Sequence, residues 1–387
     1  MDASGQEAQL YWLALHLVPG LGARNALKLV RTFGDPRHVF HASLSELHAA
    51  GLRTATAEAV HTGASFEDAT NEAAKVERAG VEIIPFSDPR YPERLKEIFD
   101  PPILLYAQGR TELLRSHTLA IVGSRRPTPY GSAVAERLGR ELGDLGITVV
   151  SGMARGIDSH AHAGALASRG DTVAVLGCGV DIAYPRENRK LAERIASRGL
   201  LLSEFPMGAI AFPQNFPIRN RIISGLSLGV MVVEGAQYSG SLITARLALD
   251  QGREVFAVPG SIVSKASWGP NLLIKQGAKL VQEAADVIED LPLPVRRELA
   301  LASSGDQSPG EAETSQPQQA SFWEQASSPL ARKLLTLLRV DVSMHIDEII
   351  RVHERQSPSE ILSALGELEL FGVIKQLPGK YFVRVWT

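Results

Sequence analysis

The chain has 387 residues, which predicts two or three domains at roughly 150 residues each. Hydrophobic residues make up 44% and charged residues 21%, as in an ordinary globular protein. The formal net charge of −3 excludes a chain that is basic throughout, so any nucleic-acid-binding surface must be a local concentration of Arg and Lys. The one cysteine, Cys178, excludes an intramolecular disulfide and a multi-cysteine zinc site. The sequence shows no signal-peptide pattern and no apolar run of about 18 residues, which predicts a cytoplasmic protein without a membrane span.

Residues 1–80 are predicted to form a helical module. At Val18–Gly22 an apolar–X–Gly–apolar–Gly turn leads into an amphipathic helix, a pattern typical of a helix-hairpin-helix element. Glycines in such an element let backbone amides approach a DNA phosphate. Ala50–Arg53 is a weaker second copy. A helical module that serves only packing or dimerisation is an equally good interpretation.

Residues 81–292 alternate between apolar, β-rich runs and helical patterns. Continuous Val, Ile and Leu runs are typical of strands that are buried on both faces. Intervening helices imply crossovers, so this region is predicted to be an extended Rossmann-like, doubly wound α/β fold with a mostly parallel sheet. The predicted strands are Glu82–Phe86, Ile103–Ala107, Leu119–Val122, Ile147–Val150, Thr172–Leu176, Leu200–Ser203, Val230–Val233, Glu254–Val258 and Lys279–Val281.

The last part of the chain is predicted to contain a linker and a winged helix. Residues 293–328 include long polar runs and predict a disordered linker. Residues 329–387 predict three helices, the third capped by Ser357, and then a β-hairpin. The third helix carries Glu360, Glu367 and Glu369, which favours a partner-binding or regulatory role over binding in the DNA major groove.

Arginines and glycines follow the predicted strands. Gly123, Ser124, Arg125 and Arg126 come directly after one strand, where they can contact a phosphate or form a tight turn with surface arginines. The segment Ser151–His160 repeats the arrangement, with Arg155 near a helix start and Asp158 as the predicted N-cap.

His160 and His162 lie close together in the sequence, but no cysteine or acidic cluster accompanies them. We therefore expect packing or surface histidines and no metal site.

Two further blocks combine the chemistry of stacking and of phosphate binding. Phe216 stands beside Arg219, Asn220 and Arg221, a combination suited to unpaired bases. The alternative is a core aromatic next to a structural ion pair between an arginine and Glu204 or Glu234. A later helix start offers hydroxyls and amides for phosphate, or for ordinary capping, at Ser239, Gly240, Ser241 and Thr244.

Lys265 lies on the loop after the predicted strand Glu254–Val258, and Asn271 lies in the helix that follows the loop. Taken alone, Lys265 is better explained as a solvated side chain than as a phosphate contact.

Together and in this order, these blocks resemble the DprA (Smf) family of DNA-processing proteins. The resemblance implies a sterile-alpha-motif-like N-terminal module, an extended Rossmann core and a winged helix related to Z-DNA-binding domains. It implies a protein that binds and protects single-stranded DNA during natural transformation, loads the RecA recombinase onto it and dimerises through the Rossmann core. It implies no cofactor and no catalytic residue. By position, Arg125, Arg155 and either Arg219 or Arg221 would contact phosphates, Phe216 would stack on a base, and Lys265 and Asn271 would assist.

An enzyme is the main alternative. The fold resembles that of the LOG phosphoribohydrolases, which act on nucleoside monophosphates with a Pro-Gly-Gly-X-Gly-Thr-X-X-Glu block. Gly240–Thr244 occupies the place of the second half of that block, and Thr244 stands where the catalytic Glu is expected. This departure counts against hydrolysis. The arginines at strand ends count against a third interpretation, a scaffold that binds only proteins.

Overall fold

The N-terminal module is helical in the computed structural model, which describes residues 3–304, 328–339, 342–353 and 356–385. Asp35 caps the third helix by accepting a hydrogen bond from the His38 amide, and Ser43 and Glu46 form a capping box on the fourth. Gly20 adopts φ +76°, which the turn before the second helix requires. The helices are α1 (Ala3–Leu17), α2 (Ala23–Phe33), α3 (Pro36–His41), α4 (Leu44–Ala49), α5 (Thr54–His61) and α6 (Phe66–Arg78).

This module shares one hydrophobic core with the neighbouring sheet. Trp12 and Leu13 of α1 belong to the same buried cluster as Leu104, Tyr106 and Met207. The predicted boundary at residue 80 therefore marks the change from helices to strands, but the apolar core continues across it.

The central sheet confirms the prediction of an extended, mostly parallel α/β fold. Each predicted strand is present, with ends that differ by at most two residues. The strands are β1 (Glu82–Pro85), β2 (Leu104–Gly109), β3 (Thr118–Val122), β4 (Thr148–Ser151), β5 (Thr172–Val175), β6 (Leu200–Ser203), β7 (Gly229–Val232), β8 (Glu254–Ala257) and β9 (Lys279–Leu280). Their order is β1-β2-β6-β5-β4-β3-β7-β8-β9. Strand β2 pairs antiparallel with both of its neighbours, β1 and β6, and all other neighbouring strands of this sheet pair parallel.

The strand order reverses direction at β3. From β3 the chain moves to β4, β5 and β6 on one side, and later to β7, β8 and β9 on the other. In such sheets a crevice opens beyond the carboxyl ends of the strands at the reversal point. The helices that follow the strands are α7 (Glu93–Lys96), α8 (Pro129–Asp144), α9 (Ile157–Ala167), α10 (Arg189–Arg198), α11 (Asn215–Leu226), α12 (Gly240–Asp250), α13 (Trp268–Lys275) and α14 (Ala284–Asp290).

The predicted linker begins later than its sequence indicates. Leu293–Ser304 forms a helix, α15, whose Val295 and Leu299 are buried in the core cluster that contains Leu138 and Leu142 of α8. The prediction of a linker is therefore wrong for residues 293–304, because the spacing of these two apolar side chains places both on one face of a helix. The polar run at 305–327 lies outside the described residues.

A winged helix ends the chain, as predicted. Ser357 caps the third helix of this domain in a capping box with Glu360. The elements are α16 (Pro329–Leu337), β10 (Met344–His345), α17 (Ile346–Val352), α18 (Pro358–Leu370), β11 (Ile374–Leu377) and β12 (Tyr381–Arg384), with strand order β10-β12-β11. In the described ranges, no helix combines the length and the apolar character that crossing a bilayer requires.

Candidate nucleic-acid interface

A cleft of about 560 Å³ opens at the carboxyl edge of the parallel sheet. It brings together segments that are far apart in the sequence: the loop after β3, the start of α11 and the start of α12. The predicted site residues that line it are Gly123, Ser124, Arg125, Phe216, Arg219, Asn220, Ser239, Gly240, Ser241 and Thr244. The reversal of strand order at β3 explains this convergence.

Gly123 is required by packing within the protein. A Cβ atom at this position would lie 2.6 Å from the Ile157 side chain and 2.9 Å from the Glu234 carbonyl oxygen. Glycine was expected here because it leaves room for a phosphate. The structure gives a second reason, since glycine also lets β3 and the end of β7 approach each other.

Arg125 lines the cleft, and Arg126 follows it in the chain but is not one of the lining residues. Arg125 and Arg126 are both exposed, and the Arg126 amide donates a hydrogen bond to Ser124 Oγ (3.1 Å). Arg125 also lies over the Phe216 ring, with 5.2 Å between the guanidinium carbon and the ring centroid. This position places a positive charge and an aromatic face side by side.

One aromatic residue of this site, Tyr184, was not predicted from the sequence. Its ring stacks on Phe216 with 5.5 Å between centroids and an angle of 28° between planes, and it also lines the cleft. Tyr184 remains 44% exposed, so much of its ring is accessible. The signal available in the sequence was the Tyr-Pro pair at 184–185, in the loop after a predicted strand.

Arg219 lies at the floor of the cleft and is held by the backbone. It is buried, and its Nη1 donates hydrogen bonds to the carbonyl oxygens of Gly152 (2.6 Å) and Val175. Burial lowers the pKa of its guanidinium to about 10, and the nearby Asp158 carboxylate opposes this change. Arg219 is therefore charged at neutral pH and ties α11 to the ends of β4 and β5.

Asp158 does not cap its helix. Helix α9 begins after Gly156, and Asp158 Oδ2 accepts hydrogen bonds from the amides of Gly152 (3.1 Å) and Ala154 (3.3 Å). The N-cap prediction is wrong, because the carboxylate instead closes the loop that precedes the helix. Burial raises the pKa of Asp158, and the charge of Arg219 opposes this.

Arg221 belongs to a buried ion-pair cluster outside the cleft. Its Nη2 donates to Glu204 Oε2 (2.6 Å) and its Nε to Asp100 Oδ2 (3.0 Å). The prediction that Arg221 contacts DNA is therefore corrected in favour of the structural alternative with Glu204. Glu234, the other partner considered, instead accepts a hydrogen bond from the Thr128 amide (2.9 Å) and holds the loop after β3.

The start of α12 offers donors to the cleft. Ser239 is the N-cap residue, but its side chain makes no capping hydrogen bond, and its Oγ lies 2.7 Å from Ser241 Oγ. The first amides of a helix have no partner within the helix, so those of Gly240 and Ser241 can meet an anion. Thr244 is buried, and its hydroxyl donates to the Gly240 carbonyl (3.3 Å).

The remaining predicted residues lie outside the cleft lining. Arg155 is exposed, pairs with Glu187 and borders a small recess that adjoins the cleft at Arg125 and Tyr184. Lys265 is exposed on its loop. Asn271 uses its side-chain amide to bridge the Gly260 backbone, accepting from its amide (3.2 Å) and donating to its carbonyl (3.0 Å). Asn271 thus has a structural role in this loop, and its contact with DNA stays a prediction.

Of the two histidines near this region, His160 is part-exposed and His162 packs in the interior, in line with the expectation of surface or packing residues. His162 is buried, with 2.7 Å between its Nδ1 and Thr172 Oγ1, and burial lowers its pKa to about 3. Across the part of the chain that the structure describes, no cluster of His, Cys, Asp and Glu has the arrangement of a metal site.

Comparisons with known proteins cover both the sheet region and the winged helix. Residues 82–292 match the family model of DNA recombination-mediator protein A, and residues 316–380 match that of the DprA winged helix domain. The chain is 40% identical to Protein Smf of Escherichia coli strain K12 over 309 residues, which is 79% of this chain and 78% of that protein. It is 49% identical to the DNA processing protein DprA of Bacillus subtilis over 214 residues, which is 55% of this chain and 72% of that protein.

Two solved structures are also similar. DNA processing protein A from Streptococcus pneumoniae has a TM-score of 0.64 and 35% identity, and the match covers 73% of this chain and 98% of that one. The Helicobacter pylori protein, whose structure concerns its single-stranded DNA binding mode, has a TM-score of 0.50 and 32% identity and matches over 55% of this chain and 97% of that one.

Proposed function

Because the chain belongs to the DNA recombination-mediator protein A family, we propose that it binds and protects single-stranded DNA in the cleft at the carboxyl edge of its sheet. The observation that carries this proposal is the meeting of Arg125, the stacked pair Tyr184 and Phe216, and the start of α12 in one cleft. The Helicobacter pylori relative binds single-stranded DNA, which supports the same ligand here.

The cleft offers phosphates two kinds of donor. Arg125 supplies exposed positive charge, with the exposed Arg126 next to it in the chain, and the start of α12 supplies the amides of Gly240 and Ser241. Arg219 adds a buried positive charge beneath the surface and keeps the loops in place. The DNA backbone would follow this line of donors.

The aromatic pair favours an unpaired base over a duplex. Stacking on Tyr184 and Phe216 needs the face of a base, which a duplex covers with its neighbouring base pairs. Stacking of this kind tolerates any base, because every base has a π-face. We therefore expect little sequence preference and a clear preference for single strands.

The family membership supports two further steps. We propose that the protein loads RecA onto the bound strand during natural transformation and DNA recombination, and that it acts as a homodimer through the Rossmann core. Strand β9 is at the edge of the sheet and Leu280 on it is 42% exposed, so this edge offers a route for pairing two copies. Light scattering of the purified protein would measure the dimer.

Hydrolysis of nucleoside monophosphates receives less support from this cleft. Thr244 stands where the LOG enzymes carry their Glu, and its hydroxyl is bound within its own helix. Among the described residues that line the cleft, Asp158 supplies the one carboxylate. It is buried and accepts hydrogen bonds from two backbone amides. A carboxylate held in this way is poorly placed to act on a substrate.

Fluorescence anisotropy with labelled single-stranded and duplex oligonucleotides tests the proposal. We expect tight binding to the single strand that weakens steeply with salt, because several phosphates are neutralised. Arg140→Ala provides a matched control, because Arg140 is an exposed arginine near the C-terminal end of α8, away from the carboxyl ends of the strands where the cleft lies. Equal affinity for both forms of DNA, or no binding at low salt, would overturn the proposal.

A further inference from the structure

A third aromatic side chain, that of Tyr238, stands at the rim of the cleft, and no contact within the described residues accounts for its ring. Tyr238 lies in the loop between β7 and α12 and is 89% exposed. Its neighbours in the loop, Ala236 and Ser239, both line the cleft. The Tyr238 ring therefore projects into solvent beside the proposed path of the DNA.

The backbone at Tyr238 is in a conformation that a bulky residue rarely adopts. Its φ angle is +64°, in the left-handed region, where an aromatic residue is a genuine outlier. Such strain persists where surrounding contacts impose it, and it is concentrated at functional sites. If only the turn mattered, Gly or Asn would be the favoured residue.

The contacts that impose this turn come from the backbone. The Ser239 amide donates to the Ala236 carbonyl (3.1 Å). The Gly235 amide donates to the Ala266 carbonyl just before α13, and the Gly235 carbonyl accepts from the Gly269 amide in the first turn of α13, both at 2.7 Å. Because the ring itself is exposed, its packing does not hold the turn. The fold therefore accounts for the turn, whereas the aromatic ring remains to be explained by a ligand.

We propose that Tyr238 stacks on a second nucleobase of the strand bound in the cleft, several nucleotides away from the base at Tyr184 and Phe216. This inference rests on the proposed single-strand binding. Tyr184 lies in the loop after β5 and Tyr238 in the loop after β7, and β4 and β3 lie between these two strands. Three strand spacings separate the two loops by about 14 Å, since neighbouring strands lie roughly 4.8 Å apart.

That separation suits one strand that contacts both aromatic platforms. In a stacked strand, successive nucleotides rise by about 3.4 Å, so about 14 Å corresponds to bases several nucleotides apart. The intervening nucleotides would pass Arg125 and the start of α12, where their phosphates meet positive charge and backbone amides. The strand would thus meet a ring, a series of phosphate donors, and then a second ring.

Substitutions at Tyr238 in the full-length protein separate the ring from the turn. Tyr238→Asn keeps a residue that tolerates positive φ but removes the ring, and Tyr238→Phe keeps the ring. We expect Tyr238→Asn to weaken binding of a labelled oligothymidylate by about 5- to 100-fold, the range for one lost stacking contact. Tyr238→Phe should bind like the wild type, and the thermal midpoint of Tyr238→Asn should equal or exceed that of the wild type.

Oligonucleotides with abasic sites provide the second measurement. If the ring stacks on a base, one abasic position should weaken binding by the wild-type protein and leave binding by Tyr238→Asn unchanged. Oligothymidylate affinity of Tyr238→Asn equal to that of the wild type would overturn the inference, and the ring would then be assigned to a protein contact. A different result would contradict the proposed function itself: no binding of single-stranded DNA by the wild type, or normal binding by Arg125→Ala.

Discussion

The ring of Tyr184 lies almost parallel to that of Phe216, with 5.5 Å between their centroids. The two residues belong to different segments, one after β5 and one at the start of α11, and the fold brings them together at the cleft. Phe216 is partly covered by this contact and by Arg125, whereas Tyr184 keeps much of its ring exposed. The accessible stacking surface of the pair is therefore in large part that of Tyr184.

Removal of the Tyr184 ring should weaken single-strand binding. We expect Tyr184→Ala to lower the affinity by about 5- to 100-fold, because one base loses its stacking partner. Tyr184→Phe is the matched control, since it keeps the ring and removes only the hydroxyl, and it should bind like the wild type in anisotropy titrations. Normal binding by Tyr184→Ala would show that Phe216 alone serves the base.

Loss of Arg219 should destabilise the protein as well as weaken DNA binding. Arg219→Ala leaves the carbonyl oxygens of Gly152 and Val175 without their donor, at a cost of about 1–3 kcal/mol for each buried group. Urea unfolding followed by circular dichroism measures the change in the free energy of unfolding. An Arg219→Ala protein that is as stable as the wild type but fails to bind DNA would instead make Arg219 a direct phosphate contact.

Arg221 should matter for stability and leave DNA binding intact. Arg221→Ala leaves the buried Glu204 carboxylate without its partner, which lowers the free energy of unfolding by about 3–5 kcal/mol. The double variant Arg221→Met with Glu204→Leu removes both charges, and we expect it to recover much of the lost stability. If folded Arg221→Ala, assayed well below its unfolding midpoint, lost single-strand affinity, the assignment of Arg221 to a structural cluster would be wrong.

Acid should destabilise the fold through the buried His162 and the half-buried His16. Burial lowers the pKa of His162 to about 3 and that of His16 to about 4, from 6.5 for a free side chain. Below pH 6.5 these histidines take up protons in the unfolded chain but stay neutral in the folded chain. The free energy of unfolding is therefore highest above this pH and decreases as the pH falls towards 4. Each histidine contributes a slope of about 1.4 kcal/mol per pH unit in this window.

Urea midpoints between pH 7.5 and 5 measure this effect. His162→Gln should make the slope shallower by about 1.4 kcal/mol per pH unit, because one titrating group is removed. A His162→Gln slope equal to that of the wild type would contradict the account.

The strands could be predicted from the sequence because their apolar runs are continuous and the sheet buries them on both faces. The wing and the cap at Ser357 followed from equally local signals. The convergence of the strand-end loops was not predicted, because it depends on the order of the strands in the sheet. Helix α15 was missed because its two core residues, Val295 and Leu299, stand next to a long polar run.

The site was harder to predict at the level of single side chains. Arg219 and Arg221 are two residues apart on one helix and so point in different directions, but the sequence does not show which direction faces the cleft and which faces Glu204. Tyr184 was missed because its partner Phe216 is distant in the sequence. The backbone role of Asn271 was not predicted, because a polar side chain near a strand end can bind the backbone as readily as a ligand.

The most direct test of the cleft is the single-strand affinity of Arg125→Ala, measured by anisotropy against Arg140→Ala over a series of salt concentrations. The account predicts a loss of about 10- to 100-fold for Arg125→Ala at low salt, because an exposed charge-assisted contact to a phosphate is removed, and a shallower dependence of affinity on salt. Arg140→Ala should match the wild type in both respects. Equal affinity and an equal salt slope for Arg125→Ala and Arg140→Ala would contradict the assignment of this cleft to DNA.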